Sequence, residues 1–244
     1  MKIRLGIFDS GIGGFSVLNS LLSSRTDVEV IYLADLARNP YGEKDSEEIR
    51  NIAIQISDWF KEKDIDALLI ACNTTNACAL DLLQNNLKIP CFDLITSVSK
   101  IISSNSIGIL ATTATVKSSF YKIIIKNRNP DIQVFQQSCP QFVSEIEKIP
   151  INFEKINFLA DLYLRPLLKK NIRELILGCS HYPLIYQILR KTIPSNIKII
   201  DPSIALTNSL NNHFHPVKKN NNSNKYDNVE SVSYTHLRAH ETKA

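Results

Sequence analysis

The sequence predicts an α/β fold of two similar parallel-sheet domains that face each other across a cleft. First, apolar runs of strand length alternate with helical patterns along most of the chain. Second, the runs 66–71 and 174–178 both end at a cysteine that is followed by hydrogen-bonding residues and a helical pattern. Third, the strands around Gly6 and Gly108 also match, so the halves are offset by 102 residues at the glycines and by 107 at the cysteines. Such self-similarity implies two related α/β units.

The first half of the chain alternates strands with helices. A β-rich run opens it and stops at the glycine-rich turn Asp9–Gly14. Asp45 or Ser46 is placed to cap a long helix whose apolar residues recur with helical spacing. The predicted elements are a strand at 2–8, a helix from about 15 to 22, a strand at 28–33, the capped helix, a strand ending at Cys72, a helix to about Leu87 and a short strand at 91–94.

The pattern begins again at residue 106. Its predicted elements are a strand at 106–111, a helix at about 116–127, a strand at 132–135, a helix at about 153–169, a strand ending at Cys179 and a strand at 197–200. We therefore expect a first domain over 1–97, to which 205–216 return, and a second domain over 98–204. Both are expected to be doubly wound, Rossmann-like parallel sheets, with the functional site in the cleft between them.

The end of the chain differs in composition from the rest. Residues 217–244 are rich in asparagine and have almost no apolar periodicity, which predicts a disordered tail. Within it, 232–242 resembles the translation of a sequencing-library adapter. We therefore expect this piece to be non-native and the natural C-terminal segment to be missing, and the fold prediction excludes it.

Composition excludes several classes of function. The formal charge of +4 is weak and scattered, which gives no indication of nucleic-acid binding. No apolar run reaches the ~18 residues that a membrane span needs. The five cysteines are an odd number without framework spacing, and neither a Cys-x-x-Cys nor a zinc-like cluster is present. This usage suits a reducing cytosol and favours catalysis over disulfides.

Cys72 and Cys179 are the candidate reactive groups. The carboxyl ends of parallel strands are where open α/β sheets place ligands, and a following helix N-terminus lowers the pKa of a cysteine. A lone cysteine is more often a small packing residue. Two cysteines in matching positions, each with polar neighbours, instead indicate a site in which the two thiols face each other across the cleft. Cys78, Cys91 and Cys139 are interpreted as packing residues.

Four motifs occur together at the strand ends: Asp9–Gly14, Pro40–Gly42, Ala71–Thr74 and Leu177–Pro183. In combination they resemble the glutamate racemases of the cofactor-independent aspartate/glutamate racemase superfamily, from about residue 3 to 205. Ser180 and Thr75 stand where that family often has Thr and Ala. The resemblance fades after about residue 215, where the family has a further C-terminal segment.

This resemblance implies a cytoplasmic isomerase that interconverts L- and D-glutamate and supplies D-glutamate for bacterial peptidoglycan, and hence for cell-wall biogenesis and cell shape. It implies no pyridoxal phosphate, metal or nucleotide as cofactor. The expected partner is glutamate, with no nucleic acid or membrane, and the expected assembly is a homodimer. His181 favours glutamate as the substrate, because aspartate racemases usually carry Glu at that position. An aspartate racemase or another amino-acid racemase of the superfamily remains the alternative.

The resemblance also assigns roles to residues. The cysteine matching Cys72 removes the α-proton from the D-isomer and the one matching Cys179 removes it from the L-isomer. Two thiols of modestly lowered pKa can exchange the roles of acid and base in this way. The supporting catalytic residues are Asp9, Asp35, Glu147 and His181. The substrate contacts are Asp9, Ser10, Tyr41, Gly42, Asn73, Thr74, Ser180 and His181.

Other interpretations stay open for some residues. Asp35 could be only a strand-end residue, and His181 could be a polar residue satisfied within its turn. Thr112 and Thr115 are interpreted as a cap of the following helix.

Two other classes of protein would also explain part of this sequence pattern. A dinucleotide-binding enzyme would explain the glycine-rich turn after the first strand, although Ser16 stands where the third glycine belongs. A non-catalytic two-lobed binding protein would use the same cleft without needing two reactive thiols.

Overall fold

The computed structural model describes residues 2–216, 226 and 228–233 and contains two parallel sheets. The strands of the first sheet are β1 (Ile3–Asp9), β2 (Val28–Ala34), β3 (Ala67–Ile70), β4 (Cys91–Asp93) and β9 (Val229–Ser233), in the order β4-β3-β1-β2-β9. Those of the second are β5 (Ser106–Ala111), β6 (Gln133–Ser138), β7 (Glu174–Gly178) and β8 (Lys198–Ile200), in the order β6-β5-β7-β8. The order β2-β1-β3-β4 recurs as β6-β5-β7-β8, which confirms the two related α/β units.

Helices cover both faces of each sheet. They are α1 (Phe15–Ser24), α2 (Ser46–Lys61), α3 (Asn73–Leu87), α4 (Leu94–Ser99), α5 (Thr113–Ser118), α6 (Phe120–Arg128), α7 (Phe142–Ile146), α8 (Phe153–Leu168), α9 (Tyr186–Thr192) and α10 (Pro202–His213), with a 3₁₀ turn at Tyr182–Ile185. Asp45 caps α2 as expected, since its carboxylate accepts the Glu48 N–H at 2.8 Å. None of the helices described combines the length and apolarity needed to cross a bilayer.

Each sheet buries an apolar layer on both faces. In the first domain, Phe8 and Leu68 pack with α2 and α3 on one face, while Ile7 packs with α1 and α10 on the other. In the second domain, α7, α8 and α9 cover one face and α6 covers the other. Because all the strands are parallel, their carboxyl ends lie along one edge of each sheet, and these two edges border the cleft.

Several short elements differ from the sequence-based expectation. Helices α4 and α7 were not predicted, because five or six residues are too few to show a helical period. The helix expected at 116–127 is two helices, α5 and α6, which meet at Ser119. This residue has a left-handed backbone with φ of 56°, which interrupts the helix.

The predicted disordered tail contains a strand. Val229–Ser233 pairs in parallel with β2, with Val30 opposite Val229, so the expectation of disorder for 217–244 is wrong for these five residues. An edge strand pairs through backbone N–H and C=O groups, which require no apolar periodicity. Apart from residues 226 and 228–233, the tail and most of the adapter-like piece 232–242 lie outside the described residues.

The junction between α10 and the first domain depends on a buried arginine. The Arg25 side chain is fully buried, and its Nε and Nη2 donate to the two carboxylate oxygens of Asp27 at 3.0 and 2.7 Å. Its Nη1 donates to the Phe214 carbonyl at the end of α10. The bidentate, charge-assisted pair with Asp27 fixes the guanidinium, and the bond to Phe214 joins it to the end of α10.

We expect Arg25→Met to lower the free energy of unfolding by ~3 kcal/mol, because it removes the buried bidentate hydrogen bonds to Asp27 and the donor to the Phe214 carbonyl. The measurement is the urea midpoint. Arg165→Met is the matched control, since Arg165 pairs with Asp161 on the exposed face of α8, and such pairs contribute little. Equal shifts in both variants would contradict the anchoring role.

Candidate active site

A small cavity of about 10 Å³, with room for roughly one water molecule, lies between the carboxyl ends of the two sheets. Cys72 lines it from the first domain and Cys179 from the second, and their exposed fractions are only 3% and 5%. The other residues lining it are Ser10, Asn39, Pro40, Tyr41, Gly42, Asn73, Thr74, Thr112, Val143, Ser180 and His181. The structure thus brings both candidate thiols and all but one of the expected substrate contacts to one cavity. The exception is Asp9, which lies directly behind it, hydrogen-bonded to Ser180.

Cys72 ends the loop after β3 and caps α3. The Thr75 N–H points at its sulfur at 3.5 Å, and the thiol lies 3.5 Å from the Ser10 hydroxyl. Burial, followed by the nearby Asp9 carboxylate, raises the pKa of the Cys72 thiol to about 12. The expected lowering of its pKa is therefore wrong in this closed site, because burial outweighs the helix end.

Asn76 fixes the backbone of Cys72. It is buried, and its amide donates to the carbonyls of Ile70 and Cys72 at 2.9 and 2.7 Å. Its Oδ1 accepts the Leu94 N–H at 2.7 Å, which joins the end of β3 to the start of α4. Asn76 was not predicted from the sequence, although an amide on an otherwise apolar helix face was a usable signal.

A series of polar contacts runs from the Cys179 sulfur through His181 to Glu147. The sulfur lies 3.8 Å from Nδ1 of the buried His181, whose Nε2 lies 2.6 Å from Oε1 of Glu147. Burial lowers the pKa of His181, but its hydrogen bonds with Cys179 and Glu147 outweigh this and raise it to about 10. Burial also raises the pKa of Glu147, yet the hydrogen bond and the charge of His181 bring it below its ordinary value. These directions describe an imidazolium held between a carboxylate and a sulfur.

Asp9 lies at the end of β1 and is fully buried. Its carboxylate accepts the N–H groups of Gly11 and Gly14, both at 3.0 Å, and the Ser180 hydroxyl at 3.0 Å from the other domain. Burial raises the pKa of Asp9, although these bonds and the charge of His181 oppose it. In a dinucleotide-binding protein the turn's N–H groups would face a pyrophosphate. Here the carboxylate uses two of them, which disfavours that alternative.

Asp35 does not contact a thiol. It contacts the loop between β2 and α2 that carries Tyr41 and Gly42, here called the substrate loop. Its Oδ2 accepts the Tyr41 hydroxyl and Arg38 Nε, the latter at 2.6 Å. Burial and the Asp35 charge raise the pKa of Tyr41. Asp35 therefore holds the loop that carries Tyr41 and Gly42.

Hydroxyl and amide groups join the two domains across the cavity. The hydroxyls of Thr74 and Thr112 lie 2.9 Å apart, and the Tyr121 hydroxyl donates to Asn73 Oδ1 at 2.7 Å. Thr112 does cap α5 through the Thr115 N–H, as interpreted from the sequence. It also lines the cavity, which its sequence context did not show.

The remaining cysteines lie in packing positions. Cys78 and Cys139 are buried within the two apolar cores, and Cys91 is half-buried on β4. Among the residues that the structure describes, no three His, Cys, Asp or Glu side chains are grouped so that they could hold a metal ion.

The raised pKa of His181 predicts a pH dependence of stability. Since the folded value of about 10 lies above the ordinary 6.5, its contribution is fully present below about pH 6.5 and is lost as the pH rises through about 10. We expect the melting temperature to fall over this range, and His181→Asn to reduce the fall. His213→Asn, on the exposed end of α10, is the control for loss of an imidazole. An unchanged fall in the His181 variant would contradict the assignment.

The chain matches known proteins in sequence and in structure. A family model described as Asp/Glu/Hydantoin racemase matches residues 15–210. The glutamate racemase of Prochlorococcus marinus strain NATL1A is 49% identical over 223 residues, which cover 91% of this chain and 84% of that protein. That of strain NATL2A is 52% identical over 208 residues, covering 85% and 78%. The crystal structure of glutamate racemase from Francisella tularensis in complex with D-glutamate matches with a TM-score of 0.85 and 34% identity, covering 96% of this chain and 88% of that one.

Proposed function

The chain belongs to the Asp/Glu/hydantoin racemase family and is an amino-acid racemase, and from this premise we propose that it interconverts L- and D-glutamate. Its relatives are named glutamate racemases, and the Francisella tularensis structure contains D-glutamate. The observation that carries the proposal is that two thiols, Cys72 and Cys179, reach one cavity from different domains. Inversion of an α-carbon needs a base on one face and an acid on the other.

In the proposed reaction of L-glutamate, the Cys179 thiolate takes the α-proton. The C–H bond breaks and an S–H bond forms on Cys179, which leaves a carbanion at the α-carbon. The Cys72 thiol then gives its proton to the opposite face, so a new C–H bond forms and the negative charge passes to the Cys72 sulfur. Reaction of D-glutamate uses the same steps in reverse, with Cys72 as the base.

The surroundings of the two thiols differ, and those of Cys72 support its role as the acid in this direction. Cys72 has a pKa of about 12 beside the Asp9 carboxylate, so it is a thiol at neutral pH and ready to act as an acid. Cys179 lies 3.8 Å from Nδ1 of His181, whose other ring nitrogen contacts the Glu147 carboxylate. The two thiols therefore have different partners, with Asp9 near Cys72 and His181 beside Cys179.

We assign the substrate contacts to the polar groups around the cavity. The first-turn N–H groups of α3, beginning at Asn73 and Thr74, would stabilise negative charge that develops next to Cys72. Tyr121 fixes the orientation of the Asn73 amide by donating to its Oδ1. The remaining proposed contacts are Asp9, Ser10, Tyr41, Gly42, Ser180 and His181. Asp35 acts by positioning Tyr41, and Glu147 by positioning His181.

Substrate binding requires the cleft to open. Both cysteines are almost fully buried, and the Ser180–Asp9 and Thr74–Thr112 hydrogen bonds join the domains across the cavity. We propose that the domains separate to admit glutamate and then close to exclude water, which strengthens the electrostatic interactions within the site.

The wider role is also part of the proposal. D-Glutamate made in the cytoplasm would supply peptidoglycan synthesis, and the protein would act as a homodimer without pyridoxal phosphate, metal or nucleotide. The two thiols supply acid and base, and the first-turn N–H groups of α3 would stabilise the carbanion in place of an electron-sink cofactor.

A circular-dichroism assay of the purified chain on L- and D-glutamate tests the function. After dialysis against a chelator and a carbonyl reagent, we expect each enantiomer to lose its signal as the racemate forms. Aspartate is the control substrate. Lack of activity on glutamate, or faster turnover of aspartate, would contradict the glutamate assignment. Loss of activity that pyridoxal phosphate restores would contradict the two-thiol mechanism.

A further inference from the structure

Asn39 contacts the second domain from the substrate loop of the first. It lies between β2 and α2, and its Nδ2 donates to Oε2 of Glu147 at 2.6 Å. Glu147 ends α7 of the second domain, so this hydrogen bond crosses the cleft. A carboxylate can only accept, so the donor has to be the asparagine amide.

The two oxygens of Glu147 are divided between the domains. Oε1 faces His181 Nε2 at 2.6 Å, and Oε2 accepts from Asn39. Gly11 packs over this contact, because a Cβ there would lie 2.9 Å from Glu147 Oε1 and 3.0 Å from Asn39 Nδ2. The carboxylate thus has one partner on each side and little space to rotate.

The groups that act on His181 come from three elements. Glu147 faces it from the end of α7, Cys179 from the end of β7, and Asp9 from the end of β1 in the other domain. Of these, only the Glu147 carboxylate is itself held by a hydrogen bond from a residue of the substrate loop. Closing the cleft therefore changes how firmly the carboxylate partner of His181 is held.

We propose that Asn39 is a positioning residue: when the cleft closes, it fixes the Glu147 carboxylate against His181 and so completes the Asn39–Glu147–His181–Cys179 chain. The site is then fully assembled only around an enclosed substrate. This inference rests on the proposed two-thiol racemisation for its catalytic meaning. The hydrogen-bond chain itself is testable without that reaction.

Kinetics test whether Asn39 acts through Glu147. Asn39→Leu removes the donor at similar size, and we expect kcat on glutamate to fall about tenfold while KM stays within ~2-fold. In a Glu147→Gln background the same change should cost less than ~2-fold. Asn51→Leu, on the exposed face of α2, is the control. An unchanged kcat, a rise in KM alone, or the same cost in both backgrounds would overturn the proposal.

A titration of His181 tests the chain without using the reaction. The pKa of the His181 imidazole would be measured by NMR titration of the whole protein, in the wild type, Asn39→Leu and Asn51→Leu. The looser carboxylate in Asn39→Leu should lower the His181 pKa by ~0.5 unit or more, and the Asn51 variant should match the wild type. Equal values in all three would overturn the proposal even if the enzyme racemises glutamate. A wild type that is inactive on glutamate but shows the shift would contradict the proposed function and leave the Asn39 role supported.

Discussion

Replacing either Cys72 or Cys179 by Ala is expected to reduce glutamate racemisation by at least ~10²–10⁴-fold, the range typical of general acid–base groups. Each variant keeps one thiol, which can act as acid or base on only one face of the α-carbon. The loss should appear in both directions. The enantiomers have equal free energies in water, so kcat/KM has to fall equally for L- and D-glutamate. Serine at either position should be nearly as damaging, because its hydroxyl is far less acidic than a thiol.

Cys78→Ala is the matched control for these variants. Cys78 is buried in the core of the first domain and does not line the cavity, so its loss should leave kcat close to that of the wild type. Near-ultraviolet circular dichroism would check that each variant keeps its fold. Substantial racemisation by Cys179→Ala, with Cys72 intact, would overturn the assignment of the second thiol.

Gly13→Ala should lower kcat/KM by ~10²-fold or more while leaving the protein folded. A Cβ at this position would lie 2.5 Å from Ser180 Oγ and 2.7 Å from the His181 backbone nitrogen. Backbone atoms cannot rotate away as the end of a side chain can, so the loop after β1 and the loop after β7 would have to move apart. A displacement of about 1 Å at a catalytic site can cost that much. No glycine in the described residues has a positive φ, so alanine adds no backbone strain here.

Ile12→Ala is the control for this prediction. Ile12 belongs to the same loop, but its side chain is 40% exposed, and the change removes atoms instead of adding them. Its kcat/KM and melting temperature should stay near the wild-type values. A Gly13→Ala enzyme with wild-type activity would show that the two domains do not approach each other this closely during turnover.

The sequence was sufficient for the framework of the site because buried parallel strands leave a strong trace. The strands that precede Cys72 and Cys179 are continuous apolar runs, and their matching frames predicted two related α/β units. The polar residues at these strand ends could then be assigned to one edge of each sheet. Glu147 was expected from the resemblance, and the structure places it on His181.

What the sequence did not show depends on tertiary contacts. The sequence did not place Asn39 and Thr112 at the site, because their partners, Glu147 and Thr74, lie in the other domain. The pKa of Cys72 was expected to fall from its position at a helix N-terminus, but its burial is a property of the closed cleft. β9 was missed because an edge strand that pairs through its backbone carries little pattern of its own.

Racemisation in D₂O tests most directly whether two bases act on opposite faces of the α-carbon. If Cys72 and Cys179 each act as base in one direction, the thiol that protonates the carbanion carries solvent deuterium. The α-carbon of the product enantiomer should then be deuterated, while substrate recovered at early times should contain little deuterium. The deuterium content of both enantiomers would be measured after a few per cent of conversion, in reactions that start from L- and from D-glutamate. Deuterium entering the recovered substrate and the product at similar rates from the start would indicate a single mobile base and contradict the two-thiol account.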